Sequence, residues 1–115
     1  MTYYYPQGSL VFAADPTGAH SNPRPVIVIS TTDRPYVKQE ATVVCLTTQS
    51  EYSYEVTELP SHVLDGLELR KTSYVMPWAI YTIPLSAICD NLPSGTLTPD
   101  GLELVANVID EMVRP

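Results

Sequence analysis

Proline is the residue that most limits how this chain folds, because eleven prolines are spread along 115 residues. Each proline fixes its own φ and lacks the N–H that a helix interior or a central strand requires. Regular elements must therefore be short, with turns at intervals of about ten residues. This pattern predicts a small, mainly β barrel.

Two continuous apolar runs mark the centre of the predicted sheet. One lies within Val26–Thr31 and the other, V-V-C-L, lies within Ala41–Thr47. Strands that are apolar at every position are typical of the middle of a sheet, where both faces are covered. Other predicted elements are strands at Ser9–Ala14, Thr72–Met76 and Trp78–Ile83, weaker strands at Tyr52–Val56 and Ser61–Leu64, a turn at L-D-G-L, a bend at Pro77 and a short helix at Leu85–Cys89.

The C-terminal segment changes from a strand pattern to a helix pattern. Thr98 suits an N-cap, Pro99 the first helical position and Asp100 the first turn. Gly101 is expected to weaken that turn by about 1 kcal/mol relative to alanine. Apolar residues then recur at steps of three and four, at Leu102, Val105, Ile109 and Met112. The pattern predicts a helix that packs on the barrel or on a second subunit.

Composition indicates one folded domain over residues 1–115, since 44% of the residues are hydrophobic and 17% are charged. No apolar run has the length of a membrane span and the N-terminus has no signal-peptide pattern, so we expect a cytoplasmic protein without a membrane partner. The two cysteines lack the spacing of a metal or redox motif. Cys45 is expected in the core and Cys89 near a turn, and a disulfide between them stays open.

The net charge of −7 argues against non-specific binding to nucleic acid, which depends on neutralising phosphates. The charge fits a basic partner, or a salty cytoplasm in which long-range attraction is screened. The few cations are unevenly placed: Arg24, Arg34 and Lys38 lie in the first third, and Arg70 and Lys71 are adjacent. The positions of these cations therefore leave open whether the acidic protein has a local basic face.

The loop between the first two strands carries the groups that point to chemistry. It contains Asp15, Thr17, His20 and Ser21 and closes with Arg24 between two prolines. The proline after the arginine restricts that arginine to extended conformations. A guanidinium held beside a histidine and hydroxyls suits an oxyanion or a phosphate. The plain alternative is that the arginine caps a strand edge and pairs with a surface acid.

The order of three segments resembles that of the MazF/PemK family of toxins from toxin–antitoxin pairs. The segments are D-P-T-G-A-H-S-N-P-R-P-V-I-V-I-S, then A-T-V-V-C-L-T-T-Q, then E-L-P-S-H-V followed by L-R-K-T-S-Y-V-M-P-W-A-I-Y-T-I-P. The resemblance covers nearly the whole chain. It implies a small SH3-like β-barrel of the MazF/PemK/CcdB type with a C-terminal α-helix, paired as a homodimer and bound by a cognate antitoxin protein.

The same resemblance implies a sequence-selective endoribonuclease that cleaves single-stranded RNA without a metal or cofactor. The ribose 2′-OH attacks the adjacent phosphate and leaves a 2′,3′-cyclic phosphate and a 5′-OH, which requires a base, an acid and positive charge. The catalytic residues implied are Arg24 as charge stabiliser, Thr47 as phosphate ligand and His20 as base. The RNA-binding residues implied are Asp15, Thr17, Ser21, Thr48, Gln49 and Lys71.

The chain departs from the family pattern in the late strand. Family members carry charged residues where this chain has Met76, Trp78 and Tyr81. Trp78 and the tyrosines then suit stacking on unpaired bases, although a core or dimer-interface position is the plainer interpretation of the tryptophan. The other residues also have plain alternatives. Thr47 fits a strand residue with a satisfied hydroxyl. His20 fits a surface residue, and His62 a strand residue.

Two further functions remain open from the sequence. One is a toxin-like barrel with little or no catalysis that binds a protein partner, as superfamily members that poison a DNA topoisomerase do. The other is an SH3-like adaptor for an extended or proline-rich peptide, which would use the tyrosines and Trp78. Dependence of RNA cleavage on Arg24 separates the ribonuclease from both.

Overall fold

The computed structural model describes residues 5–19, 21–49, 56–66, 72–89 and 92–114. Its regular elements within those ranges are β1 Ser9–Ala13, β2 Arg24–Val28, β3 Glu40–Thr47, β4 Thr57–Leu59, a 3₁₀ turn Ser61–Val63, β5 Leu64–Gly66, β6 Ser73–Pro84, a 3₁₀ turn Leu85–Ala87, β7 Gly95–Leu97 and α1 Pro99–Val113.

The strands form one antiparallel sheet in the order β4-β6-β3-β2-β1-β7-β5, and the sheet curls into a half-barrel. The predicted fold class, mainly β with a C-terminal helix, is therefore confirmed. The two continuous apolar runs become β2 and β3 in the middle of the sheet, as predicted. Ile27 of β2 and Val44 of β3 are fully buried, because each face of the sheet is covered.

Side-chain alternation along the strands divides the interior into two cores, one on each face. Val26 and Val28 belong to the first core, whereas Ile27 between them belongs to the second. The second core includes Val105 of α1, so the helix covers that face. Other buried members of the first core are Val11, Ala13, Val43, Cys45, Met76, Ala79 and Ile83, and of the second core Leu10, Val44, Leu46, Leu59, Val63, Val75 and Leu97.

Helix α1 begins as the sequence predicts and packs on the sheet. The Thr98 hydroxyl accepts a hydrogen bond from the Gly101 N–H at 3.2 Å, with Pro99 at the start of the helix. The cost predicted for Gly101 is offset by close packing, since a Cβ at this position would lie 2.7 Å from the carbonyl oxygen of Val63. Met112, expected on the buried stripe, is 44% exposed, because the end of the helix extends past the sheet.

The two strands predicted on either side of Pro77 form one strand, β6, from Ser73 to Pro84, and a β-bulge lies where the sequence predicts a bend. A central strand normally excludes proline because it cannot donate to the ladder. Here the pairing with β3 is irregular between Val44 and Leu46, and a bulge of this kind accommodates a residue that makes no ladder bond.

Three smaller predictions also differ from the structure. Ser61–Leu64 is a 3₁₀ turn followed by β5 rather than a strand, because Pro60 starts a tight turn. The predicted turn at L-D-G-L contributes β5, which pairs with the unpredicted strand β7. The short helix at Leu85–Cys89 is a single 3₁₀ turn. Of the strand predicted at Tyr52–Val56, all but Val56 lies outside the described residues.

Among the described residues, no helix combines the length and apolar character needed to cross a membrane.

Candidate functional site

Three polar residues meet at one end of three neighbouring strands. Asp15 follows β1, Arg24 begins β2 and Thr47 ends β3. The register of β2 and β3 pairs Val26 with Cys45, so Arg24 and Thr47 lie two residues further along the same face. Val26 and Cys45, the preceding pair on that face, belong to the first core. The first core therefore ends in polar side chains at this point.

Arg24 is held by contacts to two other segments of the chain. Its Nη1 lies 3.3 Å from Asp15 Oδ1, and its Nη2 donates to the carbonyl oxygen of Leu46 at 3.0 Å. The arginine side chain is 15% exposed and the aspartate side chain is fully buried. The alternative interpretation of Arg24 is that it pairs with a surface acid. The acid is Asp15, and its side chain lies inside the protein. Each Nη carries a second N–H, so the guanidinium keeps donors for an anion.

The Nε atom of Arg24 is buried without an acceptor among the described residues. A buried donor that makes no hydrogen bond costs roughly 1–3 kcal/mol. Unsatisfied groups of this kind occur at functional sites, where local geometry is maintained by the surrounding fold. Here the fold holds the Arg24 guanidinium in one orientation, and in that orientation its Nε–H has no acceptor among the described residues.

Asp15 is stabilised as a carboxylate by its own loop. The Thr17 N–H and the Thr17 hydroxyl donate to Asp15 Oδ1 at 2.9 and 2.7 Å, beside the contact from Arg24. Burial raises the pKa of Asp15, but these hydrogen bonds and the positive charge of Arg24 outweigh burial and lower the pKa from 3.8 to about 2. The ion pair is therefore charged across the physiological pH range.

Thr47 lies at the end of β3 with 7% of its surface exposed. Its hydroxyl oxygen accepts the N–H of Gln49 at 3.1 Å, which fixes the orientation of the side chain. A hydroxyl that accepts one hydrogen bond still carries a proton to donate. Thr47 therefore offers a positioned donor beside the remaining N–H groups of Arg24.

These residues open into a groove of about 470 Å³, which we call the Arg24 groove. Arg24 is the one charged residue among its described lining residues. The others are Thr17, Ala19, Asn22, Pro23, Pro25, Leu46, Thr47, Thr48, Gln49, Ser73, Met76, Trp78, Ala79 and Tyr81. The hydroxyl, amide and guanidinium groups that line it are donors suited to a phosphate, and the aromatic rings offer apolar contact area.

The groove brings together most of the residues that the sequence singled out. Its lining includes Arg24, Thr47, Thr17, Thr48 and Gln49. The Asp15 carboxylate forms an ion pair with Arg24.

Among the predicted site residues that the structure describes, Ser21 is exposed in the same loop but does not line the groove. His20 and Lys71 lie outside the described residues. His62 is exposed in a 3₁₀ turn rather than in a strand, and it does not line the groove.

One contributor and the orientation of another could not be identified from sequence. The carbonyl of Leu46 anchors Arg24, and a main-chain group carries no residue-type signal. Trp78 lines the groove and is 40% exposed, so the core position is wrong, while the dimer-interface position and base stacking stay predictions. The regular alternation of strand residues would have been the signal for its orientation, but the bulge in β6 interrupts that alternation.

Cys45 lies behind the groove in the first core and does not supply a nucleophile. Burial raises the pKa of its thiol to about 11, more than the Arg24 charge lowers it, with a further rise from Asp15. Both cysteines are free: Cys45 is buried, as the sequence predicts, and Cys89 is exposed. Within the described part of the chain no three His, Cys, Asp or Glu side chains form a metal-binding group.

Comparison with known proteins places the chain among bacterial toxins. Residues 7–113 match the family described as PemK-like, MazF-like toxin of type II toxin–antitoxin system. The fold is similar to that of MazF from Deinococcus radiodurans, with a TM-score of 0.72, 16% identity and coverage of 96% of this chain and 97% of that one.

Two mycobacterial structures are also similar. One is an endoribonuclease in complex with its cognate antitoxin, with a TM-score of 0.64, 17% identity and coverage of 97% and 98%. The other is the toxin MazF-mt6 of Mycobacterium tuberculosis, with a TM-score of 0.61, 22% identity and coverage of 90% and 93%. No curated protein sequence matches the chain. At these identities the solved structures show a shared fold.

Proposed function

This chain belongs to the family of PemK-like, MazF-like toxins of type II toxin–antitoxin systems, and we propose that it acts as an endoribonuclease on single-stranded RNA. The reaction is the metal-independent transfer implied by the resemblance. The 2′-oxygen bonds to phosphorus and the P–O5′ bond breaks, which leaves a 2′,3′-cyclic phosphate and a 5′-OH. The 2′-OH proton passes to a base, and the leaving oxygen takes up a proton from an acid.

The observation that carries this proposal is the convergence of Arg24 and Thr47 in the lining of one groove. Charge develops on the phosphoryl oxygens as the 2′-oxygen attacks, and fixed donors stabilise that charge. The second N–H groups of the Arg24 guanidinium and the Thr47 hydroxyl are such donors. Asp15 holds the guanidinium in place, and His20 is the proposed base.

RNA contacts along the groove are assigned to Thr17, Thr48 and Gln49, with Ser21 and Lys71 as further contacts outside the described lining. These hydroxyl and amide groups suit base edges and sugar hydroxyls, which distinguish one RNA sequence from another. Sequence-selective cleavage in the cytoplasm is the expected result.

We propose that the partners are a second copy of the chain and a cognate antitoxin. MazE–MazF complexes are among the structurally similar proteins, and so is the mycobacterial endoribonuclease with its antitoxin. An antitoxin segment that enters the Arg24 groove would meet its single described charge with a carboxylate. The net charge of −7 opposes the long-range approach of an acidic segment, so its binding would depend on this short-range pairing in the groove.

The test is cleavage of a long single-stranded RNA in EDTA, at low and at molar salt, by the wild type and by Arg24→Ala. We expect cleavage by the wild type and a loss of about 100- to 1000-fold in the variant, which lacks a positioned charge stabiliser. Thr47→Val should also lower the rate. The matched control is Arg114→Ala, which removes the same charge from an exposed helix end and should leave the rate unchanged.

The fragment ends test the chemistry independently of the rate. A 5′-OH accepts phosphate from a polynucleotide kinase directly, whereas a 5′-phosphate does not. Fragments with 5′-phosphates, or full activity in Arg24→Ala, would contradict the proposed mechanism. Wild-type protein that is folded and dimeric but cuts no RNA at either salt would contradict the ribonuclease and favour a toxin that acts by binding a protein.

A further inference from the structure

The β-bulge in β6 turns one aromatic side chain into the Arg24 groove. Val44 of β3 pairs with Ile80, but Leu46, two residues further, pairs with Val75. Four residues of β6, from 76 to 79, therefore stand opposite the single residue Cys45. Bulges re-aim side chains because they break the strict alternation of a strand. Trp78 lies within this bulge.

The residues beside Trp78 in the bulge stay in the core while the tryptophan does not. Met76 and Ala79 are each 3% exposed and pack in the first core, whereas Trp78 is 40% exposed and lines the groove. Tyr81, half-buried, lines the same groove. Trp78 is the one tryptophan of the chain. The fold thus presents a large apolar ring beside the Arg24 guanidinium.

Electrostatic attraction alone is a poor source of RNA affinity for this protein. The net charge is −7, and the single charge among the described lining residues is already paired with the Asp15 carboxylate. Stacking of unpaired bases on aromatic rings does not depend on net charge, and every base has a face that can stack. An exposed indole beside a phosphate-binding pair is the arrangement that single-stranded RNA recognition uses.

We propose that Trp78 is the base-stacking platform of the Arg24 groove. An unpaired base next to the phosphate held by Arg24 and Thr47 stacks on the indole, and this contact supplies much of the binding to RNA. The inference rests on the proposed function, since it names how the same groove holds its substrate. It also predicts that binding weakens only slightly with salt, because few phosphates are neutralised.

Binding is measured with a mixed-sequence single-stranded RNA 20-mer carrying 2′-fluoro riboses, which lacks the attacking hydroxyl. Because the chain has one tryptophan, its fluorescence reports on position 78 alone. We expect quenching on addition of the RNA. Trp78→Ala should weaken binding about 10- to 100-fold, and Trp78→Phe should bind within a few-fold of the wild type because it keeps a ring. Tyr36→Ala, which removes an exposed aromatic outside the groove, is the matched control and should bind as the wild type.

An abasic oligomer with the same backbone separates stacking from backbone contact. Wild type and Trp78→Ala should bind this oligomer equally. The proposal is overturned if Trp78→Ala binds the 20-mer like the wild type, or if it weakens binding to both oligomers alike. A change from dimer to monomer in Trp78→Ala without a change in RNA affinity also overturns it, since the ring would then belong to a subunit interface.

The wild-type experiment keeps the proposal testable if Trp78→Ala does not fold. Bound RNA that leaves the tryptophan fluorescence unchanged overturns the stacking platform while the ribonuclease stands. Wild-type protein that neither binds the 20-mer nor cuts ordinary RNA overturns the proposed function itself, and the stacking platform with it.

Discussion

The two faces of the sheet are built from the same strands but end differently. The second core is apolar throughout and is closed by α1, with Ile27 and Leu10 fully buried beneath it. The first core is also apolar along β2 and β3, yet it ends in Arg24 and Thr47 and opens into a groove. One face is a core that is sealed by the helix, and the other is a core that ends in the candidate site.

The difference shows how a small fold separates stability from chemistry. The charged pair of Asp15 and Arg24 costs desolvation, and the buried Nε of Arg24 adds to that cost. The helix-covered face carries no comparable burden among its described core residues. Apolar packing on the sealed face therefore offsets the cost of the buried charged pair and the unpaired donor at the open one. Substitutions on the two faces should therefore differ in what they change: stability alone on the sealed face, and stability together with its pH dependence at the open end.

Ile27→Ala should cause the largest loss of stability, because it removes a fully buried side chain from the sealed face. Truncation of a buried isoleucine costs about 2–5 kcal/mol of unfolding free energy. Urea denaturation measures the loss, and Leu92→Ala, at a residue 68% exposed, is the control with little change. Cleavage per folded molecule should be unchanged. Lost cleavage in a sample shown to be folded would mean that the two faces are not separate.

Asp15→Asn should lower stability by less than Ile27→Ala, because the amide oxygen still accepts hydrogen bonds, and the loss should depend on pH. The pKa of Asp15 is lowered from 3.8 to about 2 in the folded state, so the ionised carboxylate stabilises the fold. That stabilisation is fully present above pH 3.8 and is lost as the pH falls toward 2. Thermal unfolding of both proteins between pH 2 and 6 measures it.

The control for this pH series is Asp110→Asn, which breaks an exposed ion pair with Arg114. Exposed pairs contribute about 0–1 kcal/mol, so the variant should unfold close to the wild type at every pH. A stability difference between wild type and Asp15→Asn that stays constant down to pH 2 would contradict the assigned role of the carboxylate.

Thr17→Val should have the smallest effect, because it removes only a hydroxyl, which donates to Asp15 and accepts the exposed Ala19 N–H at 3.2 Å, and leaves the N–H of residue 17 in place. A hydrogen bond to a charged group contributes about 1.5–3 kcal/mol, and the remaining donor offsets part of the loss, so about 1 kcal/mol is expected. Thr96→Val, at an exposed position of β7, is the matched substitution and should be close to neutral. Equal losses in the two variants would show that the open end of the first core is not sensitive to this contact.

Local patterns in the sequence were enough for much of the fold. The apolar runs at β2 and β3 predicted the centre of the sheet, and Thr98 with Pro99 predicted the start of α1. The errors lie where partners distant in sequence override local preference. Pro77 is tolerated inside β6 because a bulge spares its missing donor. Strand β7 has three residues, too few for a periodic signal.

For the candidate site, residue types pointed to the loop but not to its geometry. Arg24 between two prolines and Thr47 at a strand end were visible as a pattern shared with a toxin family. The burial of Asp15 and the anchor on the Leu46 carbonyl were not visible, because each depends on which strand ends lie side by side. The orientation of Trp78 depends on the bulge, and Pro77 marks that point in the sequence without indicating which way the tryptophan side chain faces.

Local sequence patterns are enough to predict the type of protein: short strands between prolines, a capped C-terminal helix, and most residues of the candidate site. Strand propensity, capping and alternation act over a few residues, so a sequence contains them in full. Only the tertiary structure decided that Asp15, Arg24 and Thr47 share one end of one face and that Trp78 lies beside them. Those neighbours are set by the register between strands far apart in the chain, where pairing and packing of the whole sheet outweigh any local preference.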